Sequence, residues 1–227
     1  MYELFIGNKN YSSWSLRPWV LMRTLGMPFS ERLLRFGDQE AWDHYRQTVP
    51  SGTVPALLDG TNVVWDSLAI VEYLAERDSR VWPADSAARD WARSASAQMH
   101  SGFGELRSRC PMSCGLRIRL HEPSPGLLRD LDGLSRLWTE GLERFGGPYL
   151  AGAAFTAVDA FFAPVAFRVQ TYGLTLPAAA SGYAPTLLRL PAMREWYADA
   201  LAERFRDEAH EQDYPLIGTI QSDERAR

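Results

Sequence analysis

The apolar pattern of the 227-residue chain changes near residue 80, and that change restricts its fold more than any other feature. Before it, short apolar runs alternate with helical stretches; after it, only helical spacing persists. Tyr2–Gly7 reads as a strand, and Ser15–Leu25 as a helix with Pro18 in its first turn and Gly26 and Pro28 closing it. Phe29–Leu34 is a second strand and Glu40–Gln47 a short helix. Ala56–Asp59 and Asn62–Trp65 flank Asp59-Gly60, a pair that tolerates the positive φ of a tight hairpin turn. Asp66–Glu76 carries Leu68, Val71 and Leu74 on one helical face. The expected order is βαβ, then α, then ββα.

A linker around Asp78–Asp85, containing Trp82-Pro83, separates this unit from a second one without convincing strands. Trp91, Ala95, Met99 and Phe103 fall at helical spacing, and so do Leu127, Leu131, Leu134, Trp138 and Phe145. Further helices are expected from Ala157 through Phe167 and over Pro191–Arg204, and the polar Gln221–Arg227 is expected to fray. Strands first and helices afterwards predict an α+β domain over residues 1–79 and an all-α helical bundle over residues 86–220.

Composition narrows the function. With 24 basic and 28 acidic residues and a net charge of -4, no basic stripe points to nucleic acid. No apolar run reaches the length of a membrane span, and the start of the chain lacks a signal peptide's layout. Cys110 and Cys114 are too few for a disulfide framework or a zinc cluster, so both are read as reduced thiols in a cytoplasmic protein. Lys9 is the single lysine among the basic residues, a bias that carries no site by itself.

Three local features carry chemistry. The first is Tyr11-Ser12-Ser13-Trp14-Ser15-Leu16-Arg17-Pro18. A hydroxyl here lies at a helix N-terminus, whose free N–H groups and dipole favour a negative charge such as a thiolate. A serine at this place can equally cap the helix, and for Ser15 capping is the stronger reading. The second is Val54-Pro55, where a cis bond would leave the Val54 amide and carbonyl free to pair with an extended peptide. An X–Pro bond is trans by default, so the local sequence alone favours trans at an edge strand. The third is Asp66-Ser67, which can cap its own helix, hold a ligand carboxylate at Ser67 and an α-ammonium at Asp66, or do both.

The three together resemble the N-terminal domain of glutathione S-transferases. Val49-Pro50-Ser51-Gly52-Thr53-Val54-Pro55-Ala56-Leu57 is similar to the family's N-P-x-x-x-V-P-x-L stretch, with Val in its first position. Asp66-Ser67-Leu68-Ala69-Ile70-Val71-Glu72-Tyr73-Leu74 matches its helix signature throughout, and Ser12-Ser13-Trp14-Ser15-Leu16-Arg17 resembles the first-loop motif of the zeta class. The resemblance covers about the first third of the chain. It implies a thioredoxin-like first domain and glutathione as co-substrate. It implies a cis peptide at Val54-Pro55, with Val54 pairing the cysteinyl backbone, and Asp66 and Ser67 gripping the γ-glutamyl end. It also implies a first-loop hydroxyl on the sulfur: Ser12 by the zeta motif, Ser13 if the alignment runs through Arg17. Trp14 stands where the zeta class has cysteine, which argues against mixed-disulfide chemistry there.

In the second domain Thr156 and Asp159 match the family's helix-capping box and are assigned to folding. Tyr11, Trp14, Met99 and Phe103 are candidates for an apolar acceptor pocket, although helical spacing also places Met99 and Phe103 in the core. Tyr172 is a further candidate, and His100 and Arg107 are read as structural or solvated. The resemblance thus implies a glutathione transferase acting on an electrophilic small molecule, without a metal and as a homodimer. A maleylacetoacetate-type isomerase and a non-catalytic glutathione-binding scaffold are the alternatives.

Overall fold

The computed structural model describes residues 1–226. Its first part follows the expected element order: β1 (Tyr2–Gly7), α1 (Ser13–Leu25), β2 (Phe29–Leu34), α2 (Gln39–Thr48), β3 (Ala56–Asp59), β4 (Asn62–Trp65) and α3 (Ser67–Ala75). The strands form one sheet in the order β2-β1-β3-β4, with β1 parallel to β2 and antiparallel to β3. The parallel pair needs a crossover, which α1 supplies. Gly26 ends α1 in the left-handed conformation at φ 69°, where a Cβ would be strained. On one face of the sheet, α2 covers a small core of Leu34, Tyr45, Val49 and Ala56. On the other, α1 and α3 bury Leu4, Ile6, Leu57, Ile70 and Leu74 in the main core.

The remainder is mainly helical: α4 (Ser86–Ser101), α5 (Gly104–Arg109), α6 (Pro125–Phe145), α7 (Ala157–Tyr172), α8 (Ala178–Ser181), α9 (Tyr183–Leu188), α10 (Pro191–Ala202), α11 (Glu208–Glu211) and α12 (Tyr214–Ile217). Together the two parts are a thioredoxin-like domain followed by a helical domain. The helix expected to run through Phe103 breaks there: Phe103 has φ 52° and stands between α4 and α5. The sequence reading also missed a two-stranded antiparallel ribbon, β5 (Leu116–Leu120) with β6 (Gly218–Asp223), which joins residues about a hundred positions apart. The C-terminal segment expected to fray is therefore tied down through most of its length. Arg225 is buried and bonds the carboxylates of Asp223 and Glu211; Arg227 lies outside the described residues. Among the described residues no helix is long and apolar enough to cross a membrane.

Helix α7 is buried on almost every side because it lies between α1, α4 and α9. Asp159 in its first turn accepts hydrogen bonds from Thr156 N (2.9 Å), Leu150 N (3.0 Å) and Tyr183 Oη (2.7 Å). The sheet domain meets the helices through α1, which packs on α7 and α10. At that junction the rings of Trp19 and Trp196 cross edge to face at 5.1 Å, both fully buried. Removing an indole from water contributes on the order of 4 kcal/mol. Lys9 threads the same junction. Its ammonium lies 2.9 Å from Glu31 and 2.7 Å from Asp199, and 4.8 Å from the Trp19 ring centroid.

Candidate functional site

All four strands deliver their following or preceding loops to one end of the sheet, across all its strands. The loop after β1 carries Tyr11 and Ser12, Phe36 follows β2, Val54-Pro55 leads into β3, and Asp66 follows β4. These loops line a cavity of about 390 Å³, together with Ser13, Trp14, Trp42, Gly52, Thr53, Ser67 and His210.

Ser12 is the N-cap of α1, yet its side chain makes no capping bond. Its Oγ lies 2.6 Å from Ser15 Oγ, which in turn accepts from the Gly7 amide at 3.2 Å. Ser15 is therefore inside the helix rather than its cap, and the capping reading of the sequence does not hold. Ser15 is fully buried, so its proton needs an acceptor, and Ser12 Oγ is the one within reach. With Ser15 donating to Ser12, the Ser12 proton is free for the cavity. Ser13 is more open; its Oγ accepts from Arg168 Nη2 at 3.4 Å, which leaves its own proton free as well.

The phenol of Tyr11 is already committed. It bonds the Glu211 carboxylate and accepts from the Asp207 amide at 3.4 Å. Burial first, and then Glu211, push its ionisation well above the ordinary phenol range.

The Val54–Pro55 peptide is cis. Among the described residues the Val54 amide and carbonyl form no hydrogen bond. Asp66 holds φ 73°, a left-handed conformation that costs a non-glycine residue about 1–3 kcal/mol. Its Oδ1 accepts from Leu68 N at 2.8 Å, capping α3, and its Oδ2 lies 3.5 Å from His100 Nε2. Ser67, the first residue of α3, accepts from Arg17 Nη1 at 3.3 Å, so its hydroxyl proton also remains available.

Behind this wall three arginines converge. Arg17 is buried, its guanidinium 4.0 Å from the Trp14 ring centroid, with Nε unpartnered. Arg107 lies 5.4 Å from the same ring, and Arg168 donates to Cys110 O at 2.8 Å. None of the three forms a salt bridge among the described residues. Burial, then Arg168 and Arg107, pull the Arg17 pKa down to about 9 against the opposing charge of Asp66, so it stays charged at neutral pH. Burial lowers the His100 pKa, and Arg17 and Arg107 add to it against the opposing charge of Asp66.

The structure thus brings Tyr11, Ser12, Ser13, Trp14, Val54, Pro55, Asp66 and Ser67 to one cavity. Met99 and Phe103, offered as acceptor-pocket residues, do not line it: both are buried in the main core. Tyr172 is also buried and bonds Pro111 O at 2.8 Å. Cys110 and Cys114 are buried free thiols, and burial raises Cys110 to about 12. Sequence reasoning missed Phe36, Trp42 and His210. The first two follow a strand and open a helix, a place that could have drawn notice. His210 lies far along a polar segment with no local signal.

The sequence of residues 11–77 matches the family model described as the glutathione S-transferase N-terminal domain, and residues 89–199 match the corresponding C-terminal domain. A curated relative, a glutathione S-transferase-like protein from Beauveria bassiana, is 24% identical over 89% of this chain and 90% of its own. Among solved structures, a glutathione transferase homolog from Burkholderia gl BGR1 with bound glutathione is similar at a TM-score of 0.64. It is 20% identical, over 88% of this chain and 97% of that one. Glutathione transferase Omega 3C from Trametes versicolor is similar at a TM-score of 0.67 and 18% identity, over 90% of each chain.

Proposed function

The chain belongs to the glutathione S-transferase family, and from that premise we propose that it is a glutathione transferase, activating the bound thiol for attack on an electrophilic small molecule. The observation that carries the reading is the cavity across the strand ends, which offers three separate complements to glutathione. The unpaired Val54 backbone suits the cysteinyl unit, as an added strand. The start of α3 at Ser67 suits the γ-glutamyl carboxylate, and Asp66 suits the α-ammonium.

The sulfur then lies by the start of α1, with Ser12 as its donor and Ser13 beside it. Three effects favour the thiolate there: the free Ser12 proton, the positive end of the helix, and the uncompensated charge of Arg17, Arg107 and Arg168. Binding holds the nucleophile against an acceptor at the mouth lined by Tyr11 and Trp14, so that proximity supplies part of the rate. Reaction forms a carbon–sulfur bond, with the leaving group departing with its electron pair.

A second reading, a glutathione-dependent isomerase acting on a carboxylate-bearing substrate, is favoured by one feature: the arginine cluster lacks acidic partners. Turnover with a neutral aryl halide and with a cis-dienoic keto acid separates the two. Conjugation of the first supports transfer; isomerisation of the second without consumption of glutathione supports the alternative. Glutathione binding without either turnover supports a scaffold. We further propose a homodimer in the cytoplasm. The free edge strand β4 with the half-exposed Trp65, and the apolar Val63, Leu68 and Ala69 beside it, suit a second copy of the chain.

A further inference from the structure

The cavity has two ends, and sequence reasoning supplied a partner for only one of them. It crosses the sheet from α3, beyond the edge strand β4, to Phe36, beyond the opposite edge strand β2. Three strand spacings span about 14 Å, close to the length of an extended peptide of three residues, one of them linked through its side chain. A ligand seated with one carboxylate at Ser67 and its middle on Val54 directs its other end toward Phe36, Trp42 and Thr53. Glutathione, on the reading above, ends there in a second carboxylate. An ionised carboxylate taken from water into a partly enclosed site needs a cation or several donors.

His210 is the single basic side chain among the residues that line this cavity. It belongs to no part of the sheet domain. The C-terminal segment brings it in, and several contacts fix it there. Its ring stacks on Tyr11 at 5.1 Å and lies 4.6 Å from the Phe36 ring. Its Nδ1 bonds Asp207, while Nε2 has no protein partner among the described residues. One turn position further, Glu211 bonds both Tyr11 Oη and Arg225, and Arg225 is anchored to Asp223 at 2.8 Å on the β5–β6 ribbon. The ribbon, the buried arginine and the Tyr11–Glu211 contact therefore act together to hold one imidazole at the far end of the cavity.

We propose that His210 is the partner of the glycyl carboxylate, a specificity-determining residue supplied by the helical domain to a ligand otherwise held by the sheet domain. The proposal rests on the glutathione reading. It gives a role to the polar residues of a C-terminal segment whose apolar Tyr214 and Ile217 pack on the main core. It also makes the free carboxylate, rather than the peptide backbone alone, a condition of tight binding.

The test compares glutathione with its glycyl monoethyl ester by titration calorimetry on the full chain. The wild-type protein is expected to bind the free acid about tenfold or more tightly than the ester. His210→Gln is expected to lose most of that preference while still binding the ester as the wild type does. His210→Arg, which places a permanent cation there, is expected to regain it. If the wild type binds both equally, glutathione binding stands but the glycyl carboxylate has no partner and the proposal falls; if His210→Gln discriminates as well as the wild type, His210 is not the partner and Arg46, beside Gly52, becomes the candidate. If His210→Gln loses the preference and His210→Arg fails to regain it, the effect is a displaced segment and the charge assignment falls. If the wild type binds neither compound, the glutathione reading itself fails and takes this proposal with it.

Discussion

Ser12 Oγ and Ser15 Oγ lie 2.6 Å apart, and the Gly7 amide donates to the second of them. This short chain runs from the end of β1 to the cavity, and it orients the Ser12 proton outward because a buried Ser15 has nowhere else to donate. Ser12→Ala is expected to raise the pKa of bound glutathione by about 1–2 units, equivalent to a charged hydrogen bond of about 1.5–3 kcal/mol. Ser15→Ala should shift it the same way by less, because Ser15 acts through Ser12, and Ser13→Ala by least. Ultraviolet titration of the bound thiolate reads this order. A flat result for Ser12→Ala and Ser15→Ala would remove the relay and leave the helix terminus and the arginines as the thiolate's support.

On the proposed reading Ser67 would hold the γ-glutamyl end of glutathione, remote from the sulfur, and would bind ground and transition states alike. Ser67→Ala should raise KM for glutathione roughly tenfold, with kcat within about twofold. Steady-state kinetics at saturating acceptor check it. A fall in kcat at unchanged KM would place Ser67 in the chemistry instead.

Lys9 lies within 3 Å of Glu31 and Asp199 and against two buried indoles, so its charge is compensated only in the assembled structure. Lys9→Met is expected to lower the unfolding free energy by about 2 kcal/mol, the loss being moderated because both carboxylates reach solvent. Urea unfolding measures it. A neutral outcome would mean that methionine packing against Trp19 and Trp196 replaces the ion pairs in full.

Asp159 is buried, and burial outweighs its hydrogen-bond donors to lift its pKa to about 6. The folded state then holds a proton that the unfolded chain has lost. The associated stability is present below the ordinary carboxylate value of ~4 and disappears as pH rises through about 6. The stability advantage of wild type over Asp159→Asn should therefore shrink between pH ~4 and ~7, by about 2–3 kcal/mol. Chemical denaturation at both pH values reports the gap. A gap that widens would show that the donors from Leu150, Thr156 and Tyr183 hold the anion below its ordinary value.

The proposed dimer predicts a sedimentation coefficient for two chains at micromolar concentration, and Trp65→Glu, at an exposed position on the edge strand, should shift it to that of one chain. A monomer in the wild type at that concentration would leave the β4 face without its proposed partner.

Much of this was legible in the chain itself, for reasons of short range. Each strand of the sheet domain is bounded by its own turn residues. Asp59-Gly60 closes a hairpin that needs no distant help, and Asp66-Ser67 starts a helix whose cap is two residues away. The Tyr11–Ser15 segment, Val54-Pro55 and Asp66-Ser67 meet because the sheet topology carries their loops to one end of the strands, and that topology follows from the order of strands and crossovers. What the tertiary structure alone decided depends on contacts between residues far apart in sequence. Gly7 withdraws Ser15 from capping, and Glu211 occupies Tyr11. Arg17, Arg107 and Arg168, unremarkable as single residues, become a field because three helices place two of them against Trp14 and the third on the neighbouring Ser13. The ribbon of β5 and β6 has no hairpin turn to announce it, since its strands are separated by nearly the whole helical domain. His210 reaches the cavity only because that ribbon and the buried Arg225 hold it there, and no local pattern of side chains encodes a contact made at such a distance.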